Sequence, residues 1–349
     1  MAEVAFAIPG DLSTPTGGYA YDRQVLARLP ALGIEVRHLA LPGSFPTPSR
    51  DDLAETLRLI NDLPLGTLVL IDGLAYGALP PDIVAQISRP VVALVHHPLG
   101  LESGLNAVDA AGLVRNETAA LARTEAVIVT SRTTANLVAA DFSVPRDRIT
   151  VAKPGTEPAR RSQLQVGRPV RILAVGSIVR RKGYDVLIEA LAGLAAIPWR
   201  LTIVGADDRS AEYAAEIRGQ IAKHGLGERI AITGAVGDTA LAGHYGDADL
   251  FVLASRFEGF GMVLTEALAR GLPIVTTTGG AAAETVSDKA AVKVPPDDVS
   301  ALRTALKRLI ENLVARQLLA DSAWQEAQTL TRWDETARII ADVLKEHGA

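Results

Sequence analysis

The chain has no cysteine, which excludes disulfides, thiolate nucleophiles and cysteine metal sites at once. Aromatic residues make up 4% of its 349 residues, and only two are methionine. The core must therefore be built from aliphatic side chains. Charge of one sign is also lacking: the formal net charge is −5. Up to Glu157 there are 12 basic against 17 acidic residues, and the remainder holds 23 of each. Neither half is basic, which speaks against nucleic acid as a partner and against strong docking on anionic lipid. No run approaches the roughly 18 uninterrupted apolar residues of a membrane span. The opening segment, Met1 to Gly10, lacks a basic region ahead of its apolar stretch, which Pro9 interrupts. It reads as a first strand rather than a signal peptide, with a cytoplasmic protein as the expectation.

What is present is a regular alternation. With 48% hydrophobic residues, a sizeable core is expected. Short apolar runs at Val4–Pro9, Ile34–Leu41, Thr67–Asp72, Val91–His96 and Ala126–Thr130 read as five strands. Helical patterns at Ala20–Leu32, Asp51–Leu63 and Ala111–Thr124 lie between them. Near-continuous Val/Ile/Leu strands spaced by helices imply a parallel sheet covered on both faces. A second series runs through Arg171–Gly176, Arg200–Gly205, Ile230–Gly234, Asp249–Ala254, Pro273–Thr277 and Ala291–Val294. Pro154, Gly155, Pro158 and a polar run interrupt both patterns, so the join is placed within Lys153–Arg168. Helix is expected over Asp298–Arg316 and Ser322–Lys345, with Trp324 and Trp333 as packing anchors. The organisation expected is 1–157, 158–330 and a terminal helix in 331–349.

The most informative stretch begins at Ser255 and ends at Val275. The apolar run Asp249–Ala254 leads into Ser255-Arg-Phe-Glu258-Gly259-Phe260-Gly261-Met262-Val263, and a helical pattern follows. Gly259 and Gly261 permit a tight turn; Gly271 and Pro273 end the helix. A strand–turn–helix junction offers backbone N–H groups to a phosphate. Yet Glu258 and Glu266 flank it, and carboxylates repel phosphate. Ionised carboxylates only accept hydrogen bonds, so hydroxyls are their natural partners. A phosphate between polyhydroxylated rings describes a nucleotide-sugar.

On these residues, Glu258-x7-Glu266 in its glycine turn, the chain resembles the retaining glycosyltransferases of family 4, with the GT-B fold. The resemblance implies two Rossmann-like domains facing across a cleft, with the final helix crossing back to the first. It implies transfer of a hexosyl group from a UDP- or GDP-sugar to a saccharide, lipid or small-molecule hydroxyl, with retention and without a cofactor or metal. Membrane contact would be peripheral at most. It assigns Glu258 to the transferred sugar and Glu266 to the ribose.

Other motifs fit the same order. Gly17 and Gly18 follow the first strand and precede a helix, where the family has a glycine-rich loop near the donor phosphates. His96 stands where the family has a histidine contacting the sugar, with His97 a possible substitute; no metal ligands at suitable spacing accompany them. Glu102 is a candidate for positioning the acceptor. Gly176-Ser177-Ile-Val-Arg180-Arg181-Lys182-Gly183 joins a strand to a helix, and adjacent cations there suit a departing diphosphate. Relatives carry an arginine where Ser177 stands, so Arg181, or else Arg180, must supply the second cation beside Lys182. Ala235 and Val236 correspond to backbone contacts with the base, and Glu284 to a cap or hydroxyl contact. The rival readings are a nicotinamide-dependent oxidoreductase, a sugar-binding protein without catalysis and a sugar phosphorylase on the same fold. A convincing G-x-G-x-x-G with an acid about twenty residues on, which the first would need, is missing.

Overall fold

The computed structural model describes residues 3–349. The chain divides into two compact units, Met1–Gly155 with Thr331–Ala349, and Thr156–Leu330. The first contains β1 (Val4–Pro9), β2 (Val36–Leu41), β3 (Leu68–Asp72), β4 (Val91–Val95), β5 (Ala126–Val129) and β6 (Ile149–Val151). They form one parallel sheet in the order β2-β1-β3-β4-β5-β6. The second contains β7 (Val170–Val175), β8 (Trp199–Val204), β9 (Ile230–Ile232), β10 (Leu250–Leu253), β11 (Ile274–Thr277) and β12 (Ala291–Val294). Their order is β12-β11-β10-β7-β8-β9, again all parallel. Both units are thus Rossmann-like.

The burial follows from position in the sheet. Residues of β1, β3, β4, β5, β10 and β11 are buried on both faces, whereas the edge strands β2, β9 and β12 expose part of theirs. Strand order reverses between β1 and β3 in the first unit and between β7 and β10 in the second. At such a switch point the loops leaving the strands diverge to opposite faces and open a crevice at their carboxyl ends.

Several boundaries differ from expectation. A sixth strand, β6, closes the first sheet; at three half-buried residues it is too short to carry a period. The helix Arg132–Asp141 is likewise additional to those expected, although Ser131 caps it at Thr134 N. The first long helix stops at Arg28, where Pro30 converts the chain to a 3-10 turn ending at left-handed Gly33. Towards the end there are three helices, Val299–Glu311, Leu313–Ala327 and Trp333–Glu346, because Asn312 ends one and caps the next. Trp333 is 5% exposed, but Trp324 is only half-buried, with the Arg161 guanidinium 5.9 Å from its ring centroid.

The helix Trp333–Glu346 belongs to the first unit and packs on the helix Gly17–Arg28. Tyr21 meets Trp333 edge-on at 5.5 Å, and Thr336 Oγ1 donates to the Lys153 carbonyl at 2.6 Å. Gly155 makes this approach possible: a Cβ there would lie 2.3 Å from the Trp333 nitrogen.

Candidate active site

In the second unit both switch-point strands end in loops rich in functional groups. After β7 the chain runs through Ser177 to the 3-10 turn Arg180–Lys182, then through Gly183 into the helix Tyr184–Ala192. Gly183 is left-handed, φ 63°, and a Cβ would stand 2.1 Å from the Ala254 carbonyl oxygen. Only glycine lets the two loops meet so closely. After β10, residues Ala254 to Gly261 lead into the helix Met262–Leu268. Arg256 N–H donates to the Arg181 carbonyl at 2.7 Å, and Glu258 N–H to the Gly279 carbonyl at 3.2 Å.

This clasp brings Glu258, Lys182 and Arg181 together. Glu258 Oε1 accepts from Lys182 Nζ at 2.6 Å and from Ser255 Oγ at 2.5 Å. Its Oε2 is 3.6 Å from Arg181, whose Nη1 also donates to the Phe257 carbonyl at 3.0 Å. Burial alone would raise the Glu258 carboxyl, but Lys182, then Arg181, then the hydrogen bonds from Lys182 and Ser255 bring it down to about 2. The group is an ionised, oriented acceptor. Arg180 turns away to Glu216 at 2.6 Å, so Arg181 supplies the second cation at Glu258.

Glu266 has a different setting. Its Oε2 accepts from the Tyr245 hydroxyl at 2.8 Å. Burial pushes its carboxyl up, and the Tyr245 hydrogen bond and Arg270 only partly offset this. Arg270 also lies over the Tyr245 ring at 4.4 Å. Gly259, Phe260 and Gly261 line the turn, and the Phe260 carbonyl accepts from Thr285 Oγ1 at 2.5 Å. Met262 and Val263 open the helix with first-turn N–H groups. At seven residues it is short, so these individual groups, rather than a long summed dipole, are what an anion would meet. Ala235 and Val236 follow β9 in a loop joined to the one after β8, Gly205 N–H donating to the Gly234 carbonyl at 3.0 Å. Glu284 is exposed on the helix Ala282–Thr285.

In the first unit Gly17 and Gly18 open the helix after β1, capped by Thr16. His96 and His97 follow β4, and His97 Nε2 lies 3.7 Å from Glu102. Local spacing offers His96 no ligand-type partners, but the fold supplies two. Asp22, from the helix after β1, places Oδ1 3.0 Å from His96 Nε2, and Asp72 at the end of β3 joins them. They come from other elements, so nothing near His96 in the chain announces them. Sequence reasoning also missed Ser255 and Tyr245. Ser255 sits in plain view three residues before Glu258, whereas Tyr245 leaves no signal. Asp72 has one: a lone acid closing an otherwise apolar strand.

Comparison with known proteins bears on the second unit first. Residues 156–325 match the family Glycosyl transferases group 1. That segment contains Glu258, Lys182, Arg181 and Glu266. The chain is similar to the lipopolysaccharide core biosynthesis mannosyltransferase LpsB of Rhizobium meliloti, 31% identical over 178 residues, covering 48% of this chain and 49% of that one. It spans about half the length of curated relatives of this kind. Among solved structures it resembles sucrose-phosphate synthase from Thermosynechococcus elongatus, with a TM-score of 0.81 at 22% identity and 99% of each chain covered. Anabaena HepE, solved with UDP and glucose, gives 0.77 at 19% identity, covering 99% of this chain and all of that one. The fold class is therefore GT-B, two Rossmann-like units of six parallel strands each. The relatives are named glycosyltransferases. No helix among the described residues is long and apolar enough to cross a membrane.

Proposed function

We propose that the protein is a retaining glycosyltransferase that moves a hexosyl group from a UDP- or GDP-sugar to an acceptor hydroxyl. The observation that carries this reading is the Glu258 cluster: a buried carboxylate kept ionised by Lys182 and Arg181 at the switch point of the second unit. A carboxylate alone would repel a diphosphate, and two cations alone would bind any anion. Together they suit a ligand with hydroxyls on one side and phosphates on the other. Glu258 accepts from sugar hydroxyls, while Lys182 and Arg181 face the phosphates. Glu266, kept in place by Tyr245, accepts from the ribose. Ala235 and Val236 flank the base. By the family resemblance, His96 is assigned a contact with the sugar, and Gly17 and Gly18 a place near the donor phosphates.

As the glycosidic C–O bond breaks, negative charge gathers on the diphosphate, which takes up the proton of the attacking hydroxyl on the same face. Charge stabilisation by positioned groups is the principal device available. The family match and the UDP-bound structural neighbour support this reading. Calorimetric titration tests it: UDP or GDP is expected to bind and nicotinamide dinucleotides are not. Binding of a nicotinamide cofactor in place of both would overturn the assignment in favour of an oxidoreductase.

The ribose contact has its own test. Glu266→Gln removes a charge-assisted acceptor, so nucleoside diphosphate affinity should fall by roughly 1.5–3 kcal/mol. Because the amide oxygen of the substituted side chain still accepts from Tyr245, the fold should hold. Unchanged affinity would take the ribose away from Glu266.

A further inference from the structure

Asp22, Asp72 and His96 in the first unit pose a separate question. One oxygen or nitrogen from each lies within 4.8 Å of the others. Asp22 is 0% exposed, and its Oδ2 has no hydrogen-bond partner among the described residues, while Oδ1 is spent on His96. Asp72 Oδ1 accepts the Leu74 N–H at 2.8 Å. Two ionised carboxylates buried side by side need a compensating positive charge.

We propose that this charge is a proton: a protonated Asp72 donates to Asp22 Oδ2, and Asp22 Oδ1 accepts the Nε2–H of His96. Asp22 and Asp72 are then positioning residues, fixing the ring of His96 as the Nε2–H tautomer and leaving Nδ1 as the atom that gains or loses a proton. Burial, reinforced by Asp22, pushes the Asp72 carboxyl up to about 7. Burial would lower His96, but Asp22 first and Asp72 after it outweigh that and raise it. Tyr21, whose ring meets His96 edge-on at 5.0 Å, is pushed far up by burial and stays neutral, its hydroxyl donating to the Ala152 carbonyl at 2.9 Å. The group therefore changes its proton count near neutrality as one coupled unit. A metal ion would find three protein ligands here among the described residues. The Tyr21 hydroxyl is committed elsewhere, and the ring of His96 is packed against Gly18, where a Cβ would meet Cδ2 at 3.4 Å. What the tautomer means for sugar transfer rests on the proposed role of His96; the protonation itself does not.

Asp72→Asn decides the matter in the full chain. The amide can accept from Leu74 N–H and donate to Asp22 at every pH, copying the protonated carboxyl. With its raised value, Asp72 contributes stability that is fully present below about pH 4 and lost as pH rises through about 7. The melting temperature of the variant relative to the natural protein should therefore climb between pH 5 and pH 9, reaching a gain of at least about 3 °C at pH 9. Long-range proton–nitrogen NMR on histidine-labelled natural protein should show His96 as the Nε2–H tautomer, titrating above about 6.5, and Asp22→Asn should lower that value. Three results would overturn the proposal. These are an equal loss of melting temperature at all pH values in Asp72→Asn, an Nδ1–H tautomer at His96, or Mn2+, Mg2+ or Zn2+ stabilising the natural protein but not the variant. None of these measurements involves glycosyl transfer, so failure of the transferase reading and failure of the triad are told apart.

Discussion

Lys182→Ala is expected to lower kcat by about 10²- to 10³-fold while the donor KM changes by less than about threefold. Lys182 Nζ sits 2.6 Å from Glu258, on the same turn as Arg181. On the proposed reading, the diphosphate already carries charge in the ground state, shared by Arg181 and the first-turn N–H groups. The additional charge arrives only as the sugar departs, so a cation there favours the transition state over the bound donor. Arg181→Ala should act in the same direction, and more strongly than where an arginine follows the strand's glycine, because here Ser177 occupies that place. Steady-state kinetics with the preferred donor give the answer. A raised KM at constant kcat would make Lys182 a uniform binder and remove its catalytic role.

Glu258→Gln should cost the second unit about 3 kcal/mol of stability at pH 7. The folded carboxyl lies at about 2, well below the ordinary 4.5, so the unfolded chain takes up its proton more readily. Its contribution is therefore fully present above about pH 4.5 and lost as pH falls through 2. The substitution would leave Lys182 and Arg181 facing a neutral amide in a buried place, where losing one partner of an ion pair is far more damaging than never having it. Denaturant unfolding followed through Trp199, buried in the core of this unit, should show a large gap at pH 7 that narrows at pH 3. A gap of constant size would mean that shape, not charge, is what Glu258 supplies.

Much of this is legible from residues alone, for reasons that differ by element. Central strands such as β1 and β11 fall within a residue of their expected bounds, because a strand buried on both faces is a bare apolar run. Short edge strands such as β6 carry no such mark. The Glu258 cluster is readable since glycines, acids and cations stand in two compact motifs, each at a strand's carboxyl end. How those motifs engage is not: the role of Ser255 depends on the turn, and the pairing of Tyr245 with Glu266 joins residues 21 apart. The triad is hidden most completely, since Asp22 and His96 are 74 residues apart and meet only through the parallel register of β1, β3 and β4.

The route of the chain bears on how the protein is made. Thr156–Leu330 is one uninterrupted segment, but its partner unit is assembled from Met1–Gly155 and Thr331–Ala349. A ribosome delivers the second unit whole, with everything its core requires. Until Trp333, Ile340 and Leu344 emerge, the first unit has an open flank along Tyr21 and its helix, although its sheet was synthesised first. The first unit therefore cannot cover that flank until its successor has been synthesised, and apolar surface exposed during synthesis is what holding chaperones engage.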